Sequence, residues 1–168
     1  MEHVDPQTQT ETLTAGPVQG RDALRAAIAA LLRQAKREVR LYAPRLDAAI
    51  FDHSAVTGAL VAFATRHAQH RANLLVEDAA ILQGNQRLLA IARRLADTVE
   101  LREADPEDRG AADLYLIIDR SAHLMQQDVT RNEAVVVLQT PRETAHLIGR
   151  FGGTWDRAQR LPLQPTGL

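Results

Sequence analysis

The order of apolar patterns in this chain predicts an α/β domain, a mixed central sheet flanked by helices in layers. Three observations carry that prediction. Between residues 21 and 102, amphipathic helical spacing alternates with short strand-like runs. Three strand-like runs then follow one another, near 114–118, 123–126 and 135–138. A final helical pattern opens at Thr140. A doubly wound, flavodoxin-like domain is the rival, but it needs a helix between the 114–118 and 135–138 runs. The segment His123 to Glu133 is too short and too polar to be one.

The elements follow in order. Leu24, Ile28, Leu31, Leu32 and Ala35 recur at helical spacing, and Asp22 suits the first turn, so a helix is expected from Arg21 to about Arg37. Val39 to Ala43 alternates as a strand and is stopped by Pro44. Asp52 or Ser54 is the expected cap of a second helix, with Val56, Leu60, Phe63 and His67 on one face. Asn73-Leu74-Leu75-Val76 is a continuous apolar run that suits a strand buried on both faces. A third helix begins near Gly84-Asn85 with Leu88, Leu89, Ala92 and Leu95 inward, and Val99 to Arg102 returns to a strand. Thr140-Pro141-Arg142-Glu143 has the form of a capping box and opens the last helix, which Gly152-Gly153 should weaken or bend.

One domain is expected over residues 20–160. Residues 1–19 are rich in Gln, Thr, Glu and Pro and should be disordered. Residues 161–168 hold two prolines and should form an extended tail. The chain of 168 residues is 45% hydrophobic and 24% charged, an ordinary globular composition. Its formal net charge of −1 gives no overall field to attract nucleic acid or acidic lipid, so neither partner is expected. Cysteine is absent, which excludes disulfides, thiolate metal sites and cysteine nucleophiles. No apolar run approaches the roughly 18 residues of a membrane span. The amino terminus carries no signal-peptide core, so a bacterial, cytoplasmic protein is expected.

The stretch Ala111-Ala112-Asp113-Leu114-Tyr115-Leu116-Ile117-Ile118-Asp119 carries the main functional signal. A buried strand ending in aspartate, then a tight turn and a second short strand, resembles the active-site hairpin of the phospholipase D superfamily. That family's motif is His-x-Lys-x-x-x-x-Asp. With Asp119 as the motif aspartate, Ala112 stands at the histidine position and Leu114 at the lysine position. In the family, histidine attacks phosphorus and lysine supplies positive charge to the transition state. Alanine and leucine can do neither. The family's Gly-Ser-x-Asn-like segment would fall at Gln126 to Thr130, where no glycine stands. The resemblance therefore implies the fold of a degenerate phospholipase-D-like domain that is not an enzyme.

More narrowly, the chain is similar to an uncharacterised proteobacterial domain often attached to GNAT-type acetyltransferases. Leu41-Tyr42-Ala43-Pro44-Arg45-Leu46-Asp47, Gln86-Arg87-Leu88-Leu89, Arg93-Arg94-Leu95, Leu116 to Asp119, Phe151 and Trp155 carry that similarity. It implies a binding or accessory module with a protein partner, an acetyltransferase or a second copy forming a homodimer. It further implies that the face bearing Asp119 is the inherited docking surface.

Ligands of α/β sheets sit beyond the carboxyl ends of the strands. Arg45, Asp47, Asp78, Arg87, Arg102, Asp119 and Arg120 are therefore the candidates for a small-anion or nucleotide site, the alternative being an ion-pair network that ties loops together. A phosphodiesterase assembled as a homodimer is a further alternative, although two identical copies would lack the same groups. His67 and His70 have metal-ligand spacing, with Glu77-Asp78 a conceivable third donor, but His67 is in phase with Phe63 and Leu60 and reads as a core-rim residue. His123 stands outside the motif position. No metal and no cofactor are expected. Arg87, Arg93 and Arg94 read as a solvated helix face.

Overall fold

The structure, a computed structural model, describes residues 13–163. Its elements are β1 (Gly16–Gln19), α1 (Arg21–Gln34), β2 (Glu38–Ala43), α2 (Ala48–Phe51), α3 (Ser54–Arg66), β3 (Arg71–Val76), α4 (Gln86–Arg94), β4 (Val99–Glu103), β5 (Leu114–Ile118), β6 (Ala122–Gln126), β7 (Glu133–Val137), α5 (Pro141–Arg157) and β8 (Gln159–Arg160). Short 3₁₀ turns cover Ala79–Gly84 and Pro106–Asp108. All eight strands join one sheet in the order β1-β7-β6-β5-β2-β3-β4-β8. The β2-β3-β4 block is parallel, and every other pairing is antiparallel. The expected mixed sheet in an α/β layered domain is what the chain forms.

Side-chain alternation divides the sheet between two cores. Leu114, Leu116 and Ile118 of β5 join Leu41, Leu74 and Leu101 under α1 to α4. Tyr115 and Ile117 face the other way, with Tyr42 and Leu75, toward Leu147 and Phe151 of α5. Burial on both faces explains why β5 reads as an unbroken apolar run. The β5-β6-β7 meander follows from the shortness and polarity of the 123–133 segment.

Several expectations need correction. Residues 16–19 are not disordered: they form β1, an edge strand paired with β7, with Val18 packed against the core. Main-chain pairing supplies what this polar segment lacks in apolar area. Pro17 is tolerated because an edge strand needs only one side of its backbone paired. Gly20 follows with φ 94, a conformation open to glycine, and lets the chain turn straight into α1. Residues 161–163, expected to lie extended over the surface or to fray, are held by the Leu161 amide, which donates to Leu101 O at 3.0 Å, and Leu161 and Leu163 pack on the core. Residues 1–12 and 164–168, also expected to be disordered or extended, lie outside the described residues.

The capping predictions also change. His53, not Asp52 or Ser54, caps α3: its Nδ1 accepts from Ala55 N at 3.0 Å. Asp52 instead accepts from Arg87 N at 2.8 Å and so tethers the start of α4. The capping box at Thr140 does not form, and the Thr140 hydroxyl is buried without a partner. α5 nevertheless runs through Gly152-Gly153 to Arg157, held by Thr144, Leu147 and Phe151 on its buried stripe. Among the described residues, no helix is long and apolar enough to cross a membrane.

Candidate functional site

The carboxyl ends of β2, β3 and β4 point to the same end of the sheet. β5 runs antiparallel to β2, so its amino-terminal end arrives there as well. Leu114 pairs with Gln126 of β6 and lies one step beyond the Tyr42–Tyr115 pair. A cavity of about 640 Å³ opens at this junction. Its apolar walls are Leu46, Ile50, Phe51, Ile81 and Leu114, and its polar rim comprises Arg21, Arg45, Asp47, Gln126, Thr130 and Asn132. Leu114, which the resemblance aligns with the motif lysine, is 1% exposed. Ala112, which it aligns with the histidine, is exposed, and its carbonyl accepts from Val129 N at 2.8 Å.

The lining contains no histidine, lysine, serine or cysteine. Its one aliphatic hydroxyl, Thr130 Oγ1, donates to Asp128 Oδ1 at 2.6 Å. That hydrogen bond, with a second from the Thr130 amide, holds the Asp128 carboxyl below the usual carboxylate range. A carboxylate so stabilised is a poor base for activating a hydroxyl. Asp47 is also committed: it accepts from Ala49 N at 3.0 Å and pairs with Arg21 Nε at 3.1 Å. Arg45 is exposed and has no carboxylate partner among the described residues.

Of the seven anion-site candidates, only Arg45 and Asp47 line the cavity. Asp78 caps the turn that follows it through Ala80 N and faces Arg109 at 3.9 Å. Arg87 is exposed at the start of α4. Arg102 projects to the other face of the sheet, where its guanidinium lies 4.2 Å above the Trp155 ring and Nε meets Glu100 at 2.7 Å. Asp119 and Arg120 lie at the opposite end of the molecule. The physical reason is the antiparallel direction of β5, which carries its own carboxyl end away from those of β2 to β4. The expected single arginine cleft is therefore split, and the face bearing Asp119 is not the face of the cavity.

Asp119 has another role. It adopts φ 53, and its carboxylate accepts from the amides of Lys36, Arg37 and Glu38 at 3.0, 2.8 and 3.1 Å. An internal carboxylate thus gathers the amides of the α1–β2 connection and ties it to the hairpin. The histidines also sort differently from expectation. His67 is the exposed C-cap of α3, whereas His70 is buried, stacked on Phe63 with ring centroids 4.5 Å apart and Nδ1 2.8 Å from Phe63 O. His123 is 5% exposed beneath α5, with Nδ1 2.9 Å from Thr144 Oγ1, and burial lowers its pKa.

A second cluster lies on the α5 face at the cavity end. Tyr42 and Tyr115 stack at 5.4 Å, and Arg150 covers Tyr115 while gripping Asp113 through two hydrogen bonds of 2.6 and 2.7 Å. Burial first, then the Glu77 carboxylate, pushes the Tyr42 phenol up to about 12. Both phenols stay protonated and serve packing. Arg21 and Asn132 also line the cavity without any mark in the sequence pattern, and Gln126 and Thr130 stand in the segment that replaces the family's Gly-Ser-x-Asn. The signal for Gln126 was the hairpin register, which sets it opposite Leu114.

The fold is shared with solved structures. Nuc from Salmonella typhimurium, a phospholipase D family member, superposes with a TM-score of 0.65 at 16% identity, covering 88% of this chain and 96% of Nuc. NucT from Helicobacter pylori gives a TM-score of 0.59 at 10% identity, covering 84% and 92%. TrmBL2, an archaeal chromatin protein with a novel mode of DNA binding, gives 0.65 at 19% identity over 93% of this chain. The present chain spans 57% of TrmBL2. These likenesses show a phospholipase-D-like fold. No curated protein matches by sequence. Residues 20–163 match a family model, and the chain belongs to the family described as Domain of unknown function (DUF7931).

Proposed function

We propose that this chain is a catalytically silent phospholipase-D-like domain that works by binding. The observation that supports the reading most is Leu114. It occupies the motif lysine position on the cavity wall at 1% exposure, so an apolar surface stands where the transition state would need a cation. Ala112 supplies no nucleophile, and the lining offers no substitute. A phosphodiesterase assembled from two copies is disfavoured because both would lack the same groups. The partner class proposed is a protein, an acetyltransferase or a second copy of the chain.

Turnover tests the reading. Hydrolysis of bis-p-nitrophenyl phosphate, phosphatidylcholine or single-stranded DNA should stay at background. Activity that survives purification and disappears on His123→Ala would overturn it.

The cavity favours one further reading, a small-anion sensor. Arg45 offers an unpaired guanidinium beside an apolar wall, which suits a monoanion with an apolar body. Asp47 and its Arg21 partner keep the rim from becoming strongly positive, so a polyphosphate is a poor fit. A thermal upshift with such anions that is lost in Arg45→Ala would support this reading. No upshift across a panel of monocarboxylates and phosphate monoesters would remove it.

A further inference from the structure

A net charge near zero conceals how unevenly the charges are placed. The α1–β2, α3–β3 and α4–β4 connections and the β5–β6 turn all lie at the end of the sheet opposite the cavity. Lys36 and Arg37 occupy the first connection, Arg66 and Arg71 flank the second, Arg93 and Arg94 end α4, and Arg120 sits in the turn. Arg33 in the last turn of α1 extends the group. So does Arg142, held beside the same turn because the Thr140 amide donates to Ser121 O at 3.1 Å. All nine side chains belong to exposed residues.

We infer that this end is a docking face for the phosphodiester backbone of a duplex nucleic acid. The pairing pattern separates it from an ordinary surface. None of the nine cations forms an ion pair among the described residues, and the one salt bridge at this end joins Arg40 to Glu38. At the cavity end, by contrast, Arg21, Arg109, Arg131, Arg150 and Arg157 each meet a carboxylate. Among the described residues Arg45 and Arg87 are the unpaired exceptions there, so charges largely cancel at the cavity end and accumulate at the other.

The plainer account is that basic residues complement helix carboxyl termini, three of which point this way. Arg66 does so, its Nη1 reaching Arg33 O at 3.5 Å and Ala35 O at 3.4 Å, and Arg71 Nη1 likewise donates to Ala68 O at 3.1 Å and His70 O at 2.8 Å just beyond α3. Each helix end is worth about half a negative charge, however, and Asp97, Asp119 and Glu143 are the unpaired carboxylates nearby. Nine cations set against these leave a surplus of roughly four to five positive charges.

The geometry favours a phosphate backbone over other polyanions. The cations follow the sheet edge from β5 to β4, three inter-strand spacings or about 14 Å. That span meets about four phosphates of one strand. A recess of about 420 Å³ opens among Lys36, Arg37, Glu38, His67, Gln69 and His70, where the Glu38 carboxylate is paired with Arg40. Eight of the nine cations are arginines, whose planar forks suit phosphate oxygens. Among the described residues the face carries no apolar anchor, because the exposed large hydrophobic residue is Val135 in the middle of β7. A protein interface needs a buried anchor, a membrane surface needs an inserted apolar face, and a single strand needs a stacking platform. A duplex backbone needs none of these.

The test is fluorescence anisotropy of a labelled duplex of about 20 base pairs with the full chain. Contact with about four phosphates predicts binding that weakens roughly 100-fold between about 50 and 200 mM salt. Lys36→Glu/Arg37→Glu combined with Arg93→Glu/Arg94→Glu should cost at least tenfold in affinity. Arg120→Glu alone, the milder variant if the quadruple one unfolds, should cost several-fold. Arg87→Glu/Arg131→Glu, at the other end, should stay within twofold of wild type. Absent binding at the lower salt, or equal losses at the two ends, would overturn the inference. So would tighter binding of a single strand, of labelled polyglutamate or of phosphatidylserine vesicles.

Discussion

Asp119 offers the sharpest stability prediction, because one carboxylate has two separable duties. It accepts hydrogen bonds from the Lys36, Arg37 and Glu38 amides, and it tolerates a left-handed φ of 53. Losing three amide partners, two of them on exposed residues that water can reach, costs roughly 2 kcal/mol in total. Placing alanine in the left-handed region adds about 1–2 kcal/mol. Asp119→Ala should therefore destabilise by about 3–4 kcal/mol, a fall in melting temperature of roughly 10 °C for a domain of this size. Asp119→Gly loses the acceptor but relieves the backbone, so it should recover about 1 kcal/mol of that loss. Asp119→Asn keeps one acceptor oxygen and the left-handed tolerance, and it should be the mildest of the three. Thermal denaturation followed by circular dichroism measures the series. An alanine variant that melts within a degree of wild type would refute the amide-gathering role.

Two further predictions concern the α5 layer. Burial lowers the folded-state pKa of His123 below its ordinary value, so the unfolded chain binds the proton more readily. The resulting stability is present above about pH 6.5 and is lost as pH falls through the lower folded-state value. A His123→Gln variant should show a shallower decline in melting temperature from about pH 7 to pH 5, and an unchanged slope would contradict this. Phe151 is 2% exposed, edge-on to Tyr115 and stacked on Trp155. Phe151→Ala should cost about 3–5 kcal/mol and shift the Trp155 emission. A loss under about 1 kcal/mol would show that α5 contributes little to the second core.

Much of the fold was legible because its strands are apolar and its helices keep their period. The 114–118 run, the short polar 123–133 segment and the spacing of Leu24, Ile28 and Leu31 were sufficient to give helix layers on a mixed sheet. β1 was not legible, since Gly16-Pro17-Val18-Gln19 carries one large apolar residue and owes its order to main-chain pairing. His53 as a cap, and the partnerless Thr140, depend on local geometry that side-chain identity does not specify. The candidate site was half legible. Leu114 does lie on the cavity wall, but strand direction is invisible in a sequence, so Asp119 and Arg120 stand at the far end of the sheet from Arg45 and Asp47. The cation face was hidden for the same reason. A net charge of −1 reports a sum, whereas Lys36, Arg93 and Arg120 meet only after folding.

The central claim is that no side chain of this domain forms a covalent bond to phosphorus. Intact-mass spectrometry of the full chain, incubated with bis-p-nitrophenyl phosphate and quenched in alkaline denaturant, tests it most directly. The chain should emerge at its unmodified mass at every time point. A phosphoryl adduct that forms with time and maps to His123, or to any other side chain, would contradict the account.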